Sequence, residues 1–147
     1  SINAARYTKG MEPSSVIAHF GPITNKELFS EVEESVSWHM EFPDGTVFTG
    51  FTSYNTNVEK FHAYGSKGWV EMGPAFSYGP LKGMTSKGKM DMEVVHHQTY
   101  QMNAMGAMFI SPDPIPDHCS GLEGLKDIKI MNAIYASAKA GGKKMML

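Results

Sequence analysis

Apolar and polar residues alternate along VSWHMEF. Val36, Trp38, Met40 and Phe42 fall on one side at period two, and Ser37, His39 and Glu41 on the other. PDG follows. Pro43 sets the φ that a type I turn needs at its second position, and Gly45 accepts the left-handed conformation after it. The pair predicts a short hairpin with a bulge, returning through TVFTGFTSY, a stretch rich in β-branched and aromatic residues. SSVIAHF precedes it as a further strand, and EKFHAYG and WVEMG flank GSKG as a second hairpin. The connections are too short for crossovers, so the expectation is an antiparallel meander of about five strands.

The faces of the return strand are mixed. Phe48 and Tyr54 share one side, Val47 and Phe51 the other. A sheet wetted on one side alternates more strictly. One reading is that both faces are covered, one by helices of this chain and one by something else, with Phe48 and Tyr54 on the far face and a dimer or larger oligomer as the result. The other is the mixed patterning that a twisted sheet tolerates.

The remaining chain follows a helical period. SINAARYTKG reads as part of an amphipathic helix with Ile2, Ala5 and Tyr7, punctuated by Gly10. Residues 80–95 read as a loop with one edge strand. QTYQMNAMGAMFI places Met102, Met105 and Phe109 on a helical stripe. Gly106 weakens it by about 1 kcal/mol relative to Ala, and the prolines of SPDPIPD end it. SGLEGLKDIKIMNAIYASAKAGG is the clearest helix. Ser120 and Glu123 have the spacing of a capping box. Leu122, Leu125, Ile128, Met131, Ile134, Tyr135 and Ala138 form an apolar stripe, and Gly141-Gly142 supplies the stop. KKMML closes the chain as a last strand. No internal repeat and no low-complexity segment stands out.

Composition narrows the class. At 147 residues, 41% hydrophobic and 19% charged, the chain suits a single globular domain that buries roughly two-thirds of its unfolded surface. A net charge of -2 with scattered lysines argues against nucleic acid and anionic membrane partners. No apolar run approaches the ~20 residues of a bilayer span. The single cysteine, Cys119, precludes an internal disulfide and fits a reducing compartment. The 12 methionines read as core or interface filler.

Motifs with direct chemistry are scarce. G-x-G-x-x-G, a P-loop, G-x-S-x-G and H-E-x-x-H do not occur. His96 and His97 are neighbours whose side chains diverge on either a strand or a helix, so they do not chelate one metal. Asp117, His118 and Cys119 lie in a Pro-flanked loop before a helix cap, and neither a metal site nor a nucleophile is assigned there. Tyr78, in PAFSYGP, is an aromatic between turn residues that serves as a loop anchor or a substrate rim.

Three segments in order carry a resemblance: ESVSWHMEFPDGTVFTGFTSY, then FHAYGSKGWVEMGPAFSY, then GLEGLKDIKIMNAIYASAKAGG. The chain resembles the C-terminal domain of the glucose-fructose oxidoreductase, inositol dehydrogenase and MocA (Gfo/Idh/MocA) family. The strand-PDG-strand hairpin, the G-x-x-G turn and the Ser-Ala before the final glycines carry the likeness. It spans nearly the whole chain and is weakest over residues 80–95. The resemblance implies an α+β fold with an open-faced, mainly antiparallel sheet and helices on one face, like the C-terminal domain of dihydrodipicolinate reductase. It implies a single substrate and oligomerisation domain over residues 1–147. Its partners are a Rossmann domain absent from this chain, a sugar or polyol substrate, and a homo-oligomer through the sheet face, with no nucleic acid and no membrane.

The family's catalytic Lys, in an E-K-P motif, has no counterpart: Glu59-Lys60 is followed by Phe61. Its second catalytic element opens the helix that SINAARYTKG resembles in its remainder, upstream of Ser1. No catalytic residue is therefore carried onto this chain. NAD or NADP is implied for the parent enzyme, bound by the other domain, with no cofactor and no metal expected here. Pocket candidates are Tyr78, His96 and His97, polar or aromatic residues at element ends. The compartment implied is the cytoplasm, with the periplasm the alternative for exported members. A stand-alone, non-catalytic ligand-binding or dimerisation module is the second reading.

Overall fold

The computed structural model describes residues 2–147. Ser1 lies outside the described residues, so the helix expected from SINAARYTKG is seen from Ile2. In chain order the elements are α1 (Ile2–Lys9), β1 (Ser15–Phe20), β2 (Ser35–Glu41), β3 (Val47–Ser53), β4 (Phe61–Gly65), β5 (Gly68–Met72), β6 (Gly83–Thr85), β7 (Gly88–Lys89), α2 (His97–Ile110), a short 3-10 turn Asp117–Cys119, α3 (Gly121–Lys139) and β8 (Met145–Met146). The architecture is the α+β one expected, with antiparallel sheets and three helices. The expected single meander is instead two four-stranded sheets, because β3 and β4 do not pair. The chain divides into two compact units, residues 1–57 with 117–147, and residues 58–116.

In the first unit the strand order is β3-β2-β1-β8, every pair antiparallel. KKMML supplies β8 as its pattern predicts. The PDG hairpin forms as read: the Gly45 amide donates to the Phe42 carbonyl at 2.9 Å, and Gly45 takes a φ of +82°. Val36, Trp38 and Met40 of β2 turn inward with Val16 and Ala18 of β1, and pack against Ile130 and Ile134 of α3 and Ala5 of α1. Each of the valine, isoleucine and methionine side chains taken from water contributes roughly 1.5–3 kcal/mol. Register sets Trp38 opposite Ala18 on one side and Gly50 on the other, two small residues that leave room for the indole.

Phe48 belongs to this inner face and packs against the core. That corrects the assignment of Phe48 and Tyr54 to a far face. Pairing of Met40 with Phe48 puts Phe48 under the helices, while Tyr54 lies beyond the end of β3 beside Phe29. The open face presents Val47 and Phe51, 57% and 45% exposed.

Two helical stripes also differ from expectation. On α1 the buried residues are Ala5 and Arg6, whereas Tyr7 faces solvent. On α3 they are Ile130, Ile134 and Ser137, and Leu122, Leu125 and Ile128 lie exposed. The reason is polar: the N-terminal half of the inward face is taken by Glu123 and Asp127, which bind Arg6.

In the second unit the order is β4-β5-β6-β7. GSKG makes the β4-β5 turn as read. Residues 80–95 hold a small hairpin, β6 and β7, rather than one edge strand, because Gly88 with φ +121° permits the tight reversal. Phe61 and Phe76 pack edge to face at 6.5 Å. Helix α2 forms where predicted and stops before the prolines, but none of its residues is buried, and Met102, Met105 and Phe109 of the expected stripe are exposed. Among the described residues, no helix is long and apolar enough to cross a membrane.

Candidate functional site

The first unit is organised around a buried cation that the sequence reading missed. Arg6 is 3% exposed. Its Nε and Nη2 donate to Glu12 at 2.6 and 2.9 Å, and its Nη1 donates to Asp127 at 2.6 Å. Nη2 also lies 2.7 Å from Glu123. Lys126 joins at the rim, 3.2 Å from Glu12 and 3.1 Å from Glu123. A guanidinium withdrawn from water requires such partners on most of its donors. The hydrogen bond from Arg6 holds Glu12 below its ordinary carboxylate range, Lys126 does the same for Glu123, and Glu12 with Asp127 keeps Arg6 firmly protonated. The only sequence signal was an Arg within an otherwise small and apolar helical turn.

This network corrects the capping box. Ser120 does cap α3, accepting from the Glu123 amide at 3.2 Å. The Glu123 carboxylate does not reach back, because Arg6 and Lys126 hold it. Beside the network lies a cleft of about 410 Å³ whose walls include Asn3, Tyr7, Arg6 and His118. It offers an amide, a phenol and an imidazole as hydrogen-bonding groups, beside the carboxylates of Glu12 and Glu123. Asp117 and Cys119 flank His118, and Cys119 is exposed. Among the described residues, no group of three His, Cys, Asp or Glu side chains is arranged to hold a metal.

Tyr78, His96 and His97 all fall in the second unit. Tyr78 is 79% exposed in the segment between β5 and β6. His96 is the N-cap of α2: its Nδ1 accepts from the Thr99 amide at 3.3 Å and meets Thr99 Oγ1 at 2.9 Å. In the neutral ring this leaves the proton on Nε2, the outward nitrogen. His97 begins the helix and is partly covered. Among the described residues, no hydrogen bond or ring contact joins Tyr78 to either histidine.

A second buried polar residue explains the Ser-Ala before the final glycines. Ser137 Oγ accepts from the Ala18 amide at 2.8 Å and donates to the Lys143 carbonyl at 2.7 Å. The β8 ladder stops at Ser15 and Val16, so this hydroxyl takes over as the partner of β1.

Residues 1–71 match the family model of the GFO/IDH/MocA C-terminal domain. Over those residues the chain is similar to that domain. Two solved structures extend the likeness over 99% of its length: an aldose-aldose oxidoreductase from Caulobacter crescentus, crystallised with glycerol, at 29% identity and a TM-score of 0.87, and an oxidoreductase from Thermotoga maritima at 22% identity and 0.77. The second speaks for the fold alone. The chain spans less than half of either protein, 44% and 41% respectively. The recognition drawn from the hairpin, the G-x-x-G turn and the last helix is thus borne out, over a fold that includes residues 72–147.

Proposed function

We propose that this GFO/IDH/MocA domain is the C-terminal part of an NAD(P)-dependent oxidoreductase acting on a sugar or polyol. The supporting observation is the match of 99% of the chain, at a TM-score of 0.87, to an aldose-aldose oxidoreductase of more than twice its length. The nicotinamide cofactor would be held mainly by a Rossmann domain and would supply the hydride acceptor or donor. The role of this chain is to form one wall of the substrate pocket and an oligomer interface, in a cytoplasmic enzyme.

Tyr78, His96 and His97 are the proposed pocket residues. His96 suits the part because its cap bond fixes the ring with Nε2 presented outward as a donor to a substrate hydroxyl. The interface proposal rests on Val47 and Phe51 on the open face of the first sheet.

In the full-length enzyme, Tyr78→Phe, His96→Gln and His97→Gln should raise KM for the sugar by about tenfold each, with KM for the nicotinamide cofactor unchanged, since one lost hydrogen bond is worth roughly 1.4 kcal/mol. Unchanged sugar KM in all three would move the pocket elsewhere. Val47→Asp with Phe51→Asp should shift the chain toward monomer by light scattering, and a wild-type monomer at micromolar concentration would remove the interface.

A further inference from the structure

The tripeptide Ser-Lys-Gly occurs twice, at residues 66–68 and 86–88. Each copy forms a hairpin tip. The β4-β5 ladder ends on Gly65 opposite Gly68, and the β6-β7 ladder on Thr85 opposite Gly88, so Ser66-Lys67 and Ser86-Lys87 are two-residue turns. Gly68 and Gly88, with φ of +140° and +121°, close these turns in conformations that other residues rarely adopt. Because β5 pairs antiparallel with β6, Val70 opposite Thr85, both tips fall at the same end of the sheet. They also touch: the Ser86 amide donates to the Trp69 carbonyl at 3.1 Å, and a Cβ on Gly68 would stand 2.2 Å from Ser86 Oγ.

A cleft of about 600 Å³ lies at these tips. Lys67, Lys87, Ser66, Ser86, Tyr64 and Trp69 border it, and no carboxylate does. Among the described residues, neither ammonium group has an ion-pair partner. The carboxylate of Glu71 on β5 is engaged by the Tyr64 hydroxyl at 2.6 Å. Two positive charges are thus placed at one sheet end without a counter-ion, in a chain whose net charge is -2. Like charges so placed repel, and a shared anion relieves that repulsion.

We infer that the paired Ser-Lys-Gly turns are a binding site for a phosphate monoester. A dianion engages both ammonium groups, its oxygens accept from the two serine hydroxyls, and the organic part of the ligand lies against Tyr64 and Trp69. A monocarboxylate has half the charge and fewer acceptor positions, and leaves donors unused. The site stands independently of the oxidoreductase reading.

Indole fluorescence offers the test, because Trp69 borders the cleft at 36% exposure while Trp38 is 3% exposed. The 147-residue chain is titrated with inorganic phosphate, a hexose phosphate, adenosine monophosphate and the unphosphorylated hexose. Saturable changes are expected with the phosphates and none with the plain hexose, weakening as salt rises. The order of the hexose phosphate and the nucleotide identifies the source of the phosphate. Lys67→Met with Lys87→Met should weaken binding at least about tenfold, while Lys67→Arg with Lys87→Arg should retain it within about threefold. Amide shifts at residues 66–68 and 86–88, read by NMR, keep the test decisive if the indole does not respond. Equal binding of the plain hexose, undiminished binding by the Met pair, or unshifted turn amides at saturating phosphate overturns the site.

Discussion

Gly50 and Trp38 face each other across the β2-β3 ladder, and a Cβ built on Gly50 would stand 2.2 Å from the Trp38 indole. The glycine in TVFTGFTSY is therefore the space that lets the largest core side chain lie flat. Gly50→Ala should lose roughly 1–3 kcal/mol by overpacking, and Trp38→Ala about 3–5 kcal/mol by opening a cavity. The Trp38 Nε1-H is buried without a partner, so Trp38→Phe removes volume and an unsatisfied donor together. Denaturant unfolding of Gly50→Ala with Trp38→Phe should show less loss than the two single changes summed. A strictly additive result would mean that the indole does not rest on Gly50.

Arg6 ties α1 to α3 through ionic contacts, and its removal leaves three carboxylates facing one another. Arg6→Met should lose stability near the low end of the roughly 3–5 kcal/mol expected for a broken buried pair, since Glu12, Glu123 and Asp127 keep 49%, 21% and 24% of their side chains exposed. Arg6→Lys should recover only part, because an ammonium cannot span three carboxylates.

Acid should act on the same contacts. Glu12 and Glu123 have folded-state pKa values below the ordinary 4.5. Their contribution is complete above that value and is lost as pH falls below it and through the lowered folded values. Asp44 is likewise pushed down, to about 2, chiefly by its hydrogen bond from Lys9. Thermal melts across this acid range should show the wild type losing stability more steeply than Arg6→Met. Parallel curves would separate the network from the acid response.

Ser137→Ala should cost about 1–3 kcal/mol, because it strands the Ala18 amide in a buried place. Hydrogen exchange at Ala18 checks this directly: the amide is protected in the wild type and should exchange markedly faster in the variant, while Trp38 on β2 changes little. Equal protection would assign that amide to another acceptor.

Much of the fold could be read in the residues because local signals agreed. Alternation in VSWHMEF, the turn chemistry of PDG and GSKG, and the prolines after Ile110 each fix one element without long-range information. The sidedness of β3 could not be read that way. Phe48 and Phe51 are equally apolar, and only pairing with Met40 decides which one turns inward. Arg6 was hidden for a similar reason. A charged residue on a short helix reads as a solvated face until Glu12, Glu123 and Asp127, up to 121 positions away, are seen to converge on it. Tyr78, His96 and His97 stand out in the sequence by residue type and position alone, and the structure adds the cap bond that orients His96.

The most direct test of the account is steady-state turnover by the full-length protein, with NAD or NADP, across a panel of aldoses and polyols. Hydride transfer to or from at least one of them is predicted, seen as a change in nicotinamide absorbance, with none from the 147-residue chain alone. Turnover by the isolated chain, or a full-length protein that binds no nicotinamide cofactor and converts no sugar or polyol, would contradict it.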